Sequence, residues 1–209
     1  MEDLWFQPFI WTDYRLAILF TVIIPLILSI WALLKQVDAI GRLFIIYWRV
    51  ASLLLITVYL LAPAWVGENS AFEAFCGQVG FIAALAARIL IPISLWFWVD
   101  LNDEIKDLPG SFLKLMVTSW RWAVTVYGSI GAMVKVPFLS CAMSPDSLET
   151  PFCQAWIQAP VGYWALVHGD ATPSFMGFMG LLGLSIYVLY CAYFLLIRLG
   201  KQGRSALDH

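Results

Sequence analysis

The chain has 209 residues, 62% of them hydrophobic and only 12% charged, with a formal net charge of −2. Its mean hydropathy is +0.83, whereas soluble domains carry about 25% charged residues, so the composition excludes an ordinary water-soluble globular protein. The absence of a basic block argues against a nucleic-acid partner.

Crossing a bilayer takes about 20 mainly apolar residues, and five stretches qualify: about 16–34, 43–66, 79–99, 112–134 and 175–197. None alternates every second residue as barrel strands do, and only helices satisfy their own backbone groups in lipid. The predicted fold is therefore all-α, a single integral membrane domain over 1–209 with about five transmembrane helices and an outer loop at 135–174. No internal repeat or linker divides it.

Ahead of the first span lie Trp5, Phe6, Phe9, Trp11 and Tyr14, read as interfacial anchors, with the acidic Glu2, Asp3 and Asp13. Such an N-terminus is easily translocated, and without a basic n-region the first span reads as an uncleaved anchor. Trp96, Trp98, Trp120 and Trp122 fall near the opposite ends of the third and fourth spans, where amphipathic rings favour headgroups.

Lys35, Arg42, Lys106, Lys114, Arg198, Lys201 and Arg204 fall on the side of the C-terminus; the other side holds only Arg15 and Lys135. Seven cations against two predict a cytoplasmic C-terminus and a lumenal or periplasmic N-terminus. The outer loop then lies in an oxidising compartment, and Cys141 and Cys153, among Pro137, Pro145 and Pro151, are expected to form a disulfide of roughly 3 kcal/mol. Cys191, within the fifth span, reads as a small packing residue, and Cys76 lies near the outer end of the third; neither has an obvious partner.

Three arginines stand inside the spans: Arg49, Arg88 and Arg121. Each costs about 2.5–3.5 kcal/mol at a helix centre unless it finds a partner, a headgroup or a task. Arg49 and Arg121 lie near enough to the cytoplasmic ends to snorkel. Arg88 starts near the midplane, four residues before Pro92, whose missing N–H leaves the carbonyl of residue 88 free. Hydroxyl partners for this region are Thr57, Tyr59, Thr125 and Tyr127.

On the fourth span Lys114, Thr118, Arg121, Thr125 and Gly128 share one face, which should meet protein. The acidic run after the third span supplies Asp100, the expected partner of Arg49 or Arg121, then Asp103 and Glu104. With Asp107 these carboxylates suit a divalent cation in principle, but no second acidic motif completes a two-metal site, and no metal is predicted. The spans contain no histidine, which disfavours haem; no cofactor is predicted, with room left for a pigment or lipid. Gly177, Gly180 and Gly183, like Gly128 and Gly131, mark close helix contacts or a partner surface.

The segments IIYWRVASLLLITVYL, ARILIPISLWFWVDLN, SWRWAVTVY, TPFCQAW and IRLGKQGRSA resemble a cyanobacterial family of uncharacterised multi-spanning membrane proteins, a domain of unknown function. The resemblance covers nearly the whole chain, including Arg49, Arg88, Arg121, Asp100 and Cys153, and is weaker over 64–79. It brings no catalytic residues. It implies a host with thylakoid and plasma membranes, where the outer loop is lumenal or periplasmic.

The favoured expectation is a non-enzymatic protein that lies in the lipid bilayer and joins a larger membrane complex, photosynthetic or respiratory, as subunit or assembly factor. The alternative is a membrane enzyme acting on a phosphorylated or carboxylated lipid. It would use Arg49 and Arg121 to bind the anion, and Asp100, Asp103 or Glu104 at the cytoplasmic face.

Overall fold

Long apolar runs with no strand to pair with must close their backbone hydrogen bonds internally. In the computed structural model, which describes residues 5–66, 70–168 and 170–206, they are helical. Glu2, Asp3 and His209 lie outside the described residues, as does the side chain of His168. In chain order the main elements are α1 (Gln7–Leu34, including one π turn), α2 (Asp38–Leu61), α3 (Ala71–Trp96), α4 (Val99–Asp107), α5 (Phe112–Lys135), α6 (Pro151–His168) and α7 (Pro173–Tyr193). Among the described residues five stretches are long and apolar enough to cross a membrane: Gln7–Leu34, Asp38–Trp65, Ala71–Trp96, Phe112–Ala142 and Pro173–Lys201. The chain is thus an all-α bundle of the multi-pass membrane kind.

The bundle has two ends. The N-side carries the start of α1, the 3-10 turns Val136–Ala142 and α6, packed around Ile10, Phe138, Cys141 and Trp156. The C-side carries α4 and the terminal tail, packed around Ile40, Phe44, Tyr47, Leu101 and Trp120. α4 is amphipathic: Leu101 and Ile105 face the core, and Asp103, Glu104 and Lys106 face outward.

Three expectations need correction. α1 begins at Gln7, with proline in its first turn, so Phe9, Trp11 and Tyr14 are part of the helix rather than ahead of it. The 135–174 stretch is largely helical and contains α6, an 18-residue helix. It is shorter than the roughly 20 mainly apolar residues a crossing takes, and Gln154, Gln158 and His168 dilute its apolar run. Trp98 and Trp120 are buried in the C-side core, while Trp122 remains exposed. The disulfide Cys141–Cys153 is present, with Cα atoms 5.8 Å apart, and joins the 3-10 turns to the first turn of α6.

Backbone chemistry explains why Trp120 turns inward. α1 contains a π turn over Leu19–Ile23, in which the Ile24 N–H goes to the Leu19 carbonyl. Pro25 follows and has no N–H to give. The carbonyls of Phe20 and Thr21 therefore need other donors, and they find the Trp120 indole N–H at 2.8 Å and the Tyr47 hydroxyl at 2.6 Å. A carbonyl freed in lipid is costly, and a neighbouring helix satisfies each one. These two bonds pin α1 to α5 and α2.

α3 lies at the centre, against α2 and α5 and also α7. The predicted glycine stripe of α7 faces inward: a Cβ on Gly180 would stand 3.1 Å from the Leu60 backbone nitrogen, and one on Gly177 would stand 2.9 Å from Cys76 Sγ. Small residues here serve contact within the chain.

Candidate functional site

In a helix the Cβ atoms tilt toward the N-terminus, so a long side chain reaches back along its own axis. Arg88 and Arg121 follow that rule. α3 runs from the N-side to the C-side, and Arg88 accordingly reaches toward the N-side.

Arg88 is 6% exposed. Its Nη2 lies 2.5 Å from Asp13 Oδ2 on α1, in an ion pair. Tyr127 on α5 donates its hydroxyl to the same carboxylate, at 2.8 Å from Oδ1, and lies 2.7 Å from the Asp13 carbonyl. The guanidinium carbon stands 4.4 Å from the centre of the Tyr127 ring. One side of the guanidinium is thus neutralised and one face covered by a ring. Nη1 is buried with no hydrogen-bond partner among the described residues. Of the four expected hydroxyls, Tyr127 is the one that joins this pair. Thr57 donates to the Leu54 carbonyl, and Thr125 to the Arg121 carbonyl.

The free Arg88 carbonyl is met by a close approach of α5. A Cβ on Gly128 would lie 3.1 Å from that oxygen and 2.7 Å from Pro92 Cγ, so any larger residue must separate the helices. Three residues on, a Cβ on Gly131 would lie 2.8 Å from Arg88 Nη1. Gly128 touches the backbone of Arg88 and Gly131 its head, which traces the side chain running toward the N-side.

α5 runs the other way, so Arg121 reaches toward the C-side. It is 3% exposed. Nη2 donates to the Leu95 carbonyl at 2.5 Å and to Asn102 Oδ1, and the guanidinium lies 4.0 Å above the Trp96 ring. Leu95 is in the last turn of α3, whose carbonyls lack helical partners. Arg204 Nε donates to the Phe97 carbonyl at 2.7 Å, and Lys114 Nζ to the Lys106 and Leu108 carbonyls at 2.6 Å each. Cations thus collect where helix ends leave negative dipole charge. Arg121 is held inside the protein rather than snorkelling.

Asp100 goes elsewhere than expected. It accepts from the Ala206 backbone N–H at 2.8 Å and the Ser205 hydroxyl at 2.9 Å, fastening the terminal tail to the first turn of α4. The expected pairing with Arg121 or Arg49 is replaced by this contact, and the acceptors of Arg121 are neutral. Glu104 pairs with Arg42, while Asp103 is exposed. Among the described residues no group of three His, Cys, Asp or Glu side chains forms a metal-binding set.

Arg49 is exposed on the α2–α7 face, with its Nη1 3.3 Å from the Tyr190 hydroxyl. It follows Arg42 by seven residues, or about 10 Å deeper along the axis. Among the described residues it has no carboxylate in ion-pair range.

The residue sequence reasoning missed is Asp13. An acidic residue ahead of a span reads as a solvated flank, and only the start of α1 at Gln7 brings it into the bundle. A helical continuation from Gln7, signalled by Pro8 in the first turn, was the available clue.

No curated protein and no solved structure is significantly similar to the chain. A family model matches residues 7–207, which takes in every helix described above, and the chain therefore belongs to the family described as protein of unknown function, DUF3177.

Proposed function

We propose that this protein is a non-enzymatic subunit or assembly factor of a larger membrane complex, of the photosynthetic or respiratory kind, and that it docks through the α2–α7 face. The observation that carries the reading is Arg49. A guanidinium on an apolar face, with a tyrosine hydroxyl as its hydrogen-bond partner, calls for a carboxylate or phosphate from outside the chain. Around it α7 leaves most of its surface uncovered, including Ile186, Leu189 and Tyr193. The host is read as cyanobacterial, with the protein in the thylakoid or plasma membrane. The N-side is read as lumenal or periplasmic and the C-side as cytoplasmic, on the charge asymmetry of the loops. No cofactor is part of the proposal, which leaves room for a pigment or lipid.

The alternative enzyme needs free groups at the C-side. Asp100, Glu104 and Arg121 are each engaged within the chain, and this weighs against it.

Solubilising native membranes in mild detergent and separating them on a native gel tests the proposal. The protein should migrate with a large complex, and Arg49→Leu should release it while leaving its own folding intact. Migration as a monomer in every mild detergent, for wild type and variant alike, would count against the reading.

A further inference from the structure

We propose that the N-side cavity between α1, α5 and the start of α6 binds an acyl amphiphile with an anionic head, entering sideways from the bilayer. The cavity measures about 360 Å³, and Asp13, Tyr127, Gly131 and Trp156 are among the residues lining it. That volume falls within the roughly 300–1,000 Å³ range of small-molecule sites. Its lining includes Phe9, Ile130 and Val134, all exposed on stretches of α1 and α5 long and apolar enough to cross a membrane, and the proposed route of entry is past them from the bilayer. The rest of the lining is apolar and aromatic, suited to a chain.

Among the described residues two buried donors, one lining the cavity and one behind its wall, have no acceptor. Trp156 is 2% exposed and lines the cavity, yet its indole Nε1–H has no hydrogen-bond partner there. Arg88 Nη1 is also unpartnered; Arg88 does not line the cavity, but this nitrogen stands 2.8 Å from where a Cβ on Gly131, which does, would lie. Buried polar groups are rarely left so, and each unmet donor favours a ligand that brings an oxygen.

Charge selects among such ligands. Lys135 Nζ lies 3.9 Å from the centre of the Trp156 ring and has no carboxylate in ion-pair range among the described residues. Asp13 is already paired to Arg88, so Lys135 is left without a counter-ion. A neutral carbonyl would satisfy the donors but supply none; a carboxylate or phosphate answers both. The head sits beside the Trp156 indole N–H and the Lys135 ammonium that lies on the same ring, Arg88 contributes its field from behind Gly131, and the acyl chain runs out past Ile130 and Val134. This site is independent of the docking face assigned to Arg49.

The test uses the full-length protein in a neutral maltoside and measures equilibrium binding of oleate, of a lysophospholipid with an anionic phosphate head, and of methyl oleate. Saturable one-to-one binding is expected for at least one anionic probe, with methyl oleate at least about tenfold weaker; whichever anionic probe binds more tightly identifies the head as carboxylate or phosphate. Val134→Trp, which fills the mouth, should abolish binding of all three. Lys135→Gln should weaken the anionic probes about tenfold and leave methyl oleate unchanged, a split that a merely structural lysine would not produce. If Val134→Trp does not elute as wild type does, Phe9→Trp replaces it. Linear, unsaturable uptake, methyl oleate bound as tightly as the better of the two anionic probes, or binding indifferent to both variants would overturn the proposal.

Discussion

Asp13→Asn keeps the shape of the side chain and removes its charge. Arg88 then stays buried with no counter-ion, because the pair joins side chains that are 7% and 20% exposed. Breaking a buried pair by neutralising one member costs about 3–5 kcal/mol. Asp13 is the wetter partner, and the asparagine oxygen can still accept from Tyr127, so the lower end, about 3 kcal/mol, applies here. At about 2–4 °C per kcal/mol for a chain of this size, the melting point should fall by roughly 6–12 °C. Arg88→Met should cost less, since the remaining carboxylate is partly wetted and keeps the Tyr127 hydroxyl. The double variant Asp13→Asn/Arg88→Met should be more stable than Asp13→Asn alone, giving a coupling of about 2 kcal/mol. The assay is the fraction of monodisperse protein left after heating in detergent, followed by size exclusion. A melting point for Asp13→Asn within about 2 °C of wild type, or single effects that simply add, would falsify the account of Arg88.

Other perturbations bear on separate contacts. Tyr47→Phe removes the donor to the Thr21 carbonyl beside Pro25 and should cost about 1–3 kcal/mol by the same heating assay, with Trp120→Phe similar through the Phe20 carbonyl; unchanged melting in both would mean those carbonyls need no donor. Gly128→Leu places atoms where Pro92 Cγ and the Arg88 carbonyl now stand, so α3 and α5 must part, and the monodisperse fraction should fall by an amount matching about 1–3 kcal/mol or more. Cys153→Ser, or reductant added to wild type, should lower the melting point by the equivalent of about 3 kcal/mol, and equal melting with and without reductant would show that the link contributes little.

The number and order of the crossing helices could be read directly, because 20-residue apolar runs and the demand for internal hydrogen bonding leave no other arrangement. The Cys141–Cys153 link was equally legible: two cysteines near each other in one segment between spans have few alternatives. α6 was not, since an 18-residue helix that carries Gln154, Gln158 and an internal Pro160 resembles a loop when judged by hydropathy alone. The stripe on α5 was recognised as facing protein, yet its acceptors were not, because Asn102 and the Leu95 carbonyl carry no charge to attract attention. A backbone carbonyl at a helix end is invisible to any search for opposite charges.

What the sequence by itself determined is the cost: three arginines in apolar helices, each needing an answer, with Arg88 the deepest. The answers came from tertiary structure, because they depend on which helix lies beside which and in what direction each runs. The tilt of side chains toward the helix N-terminus sends Arg88 to one end of the bundle and Arg121 to the other. Only the packing of α1 against α5 decides that Asp13 and Tyr127 wait at the first, and only the α3–α4 corner places Asn102 at the second.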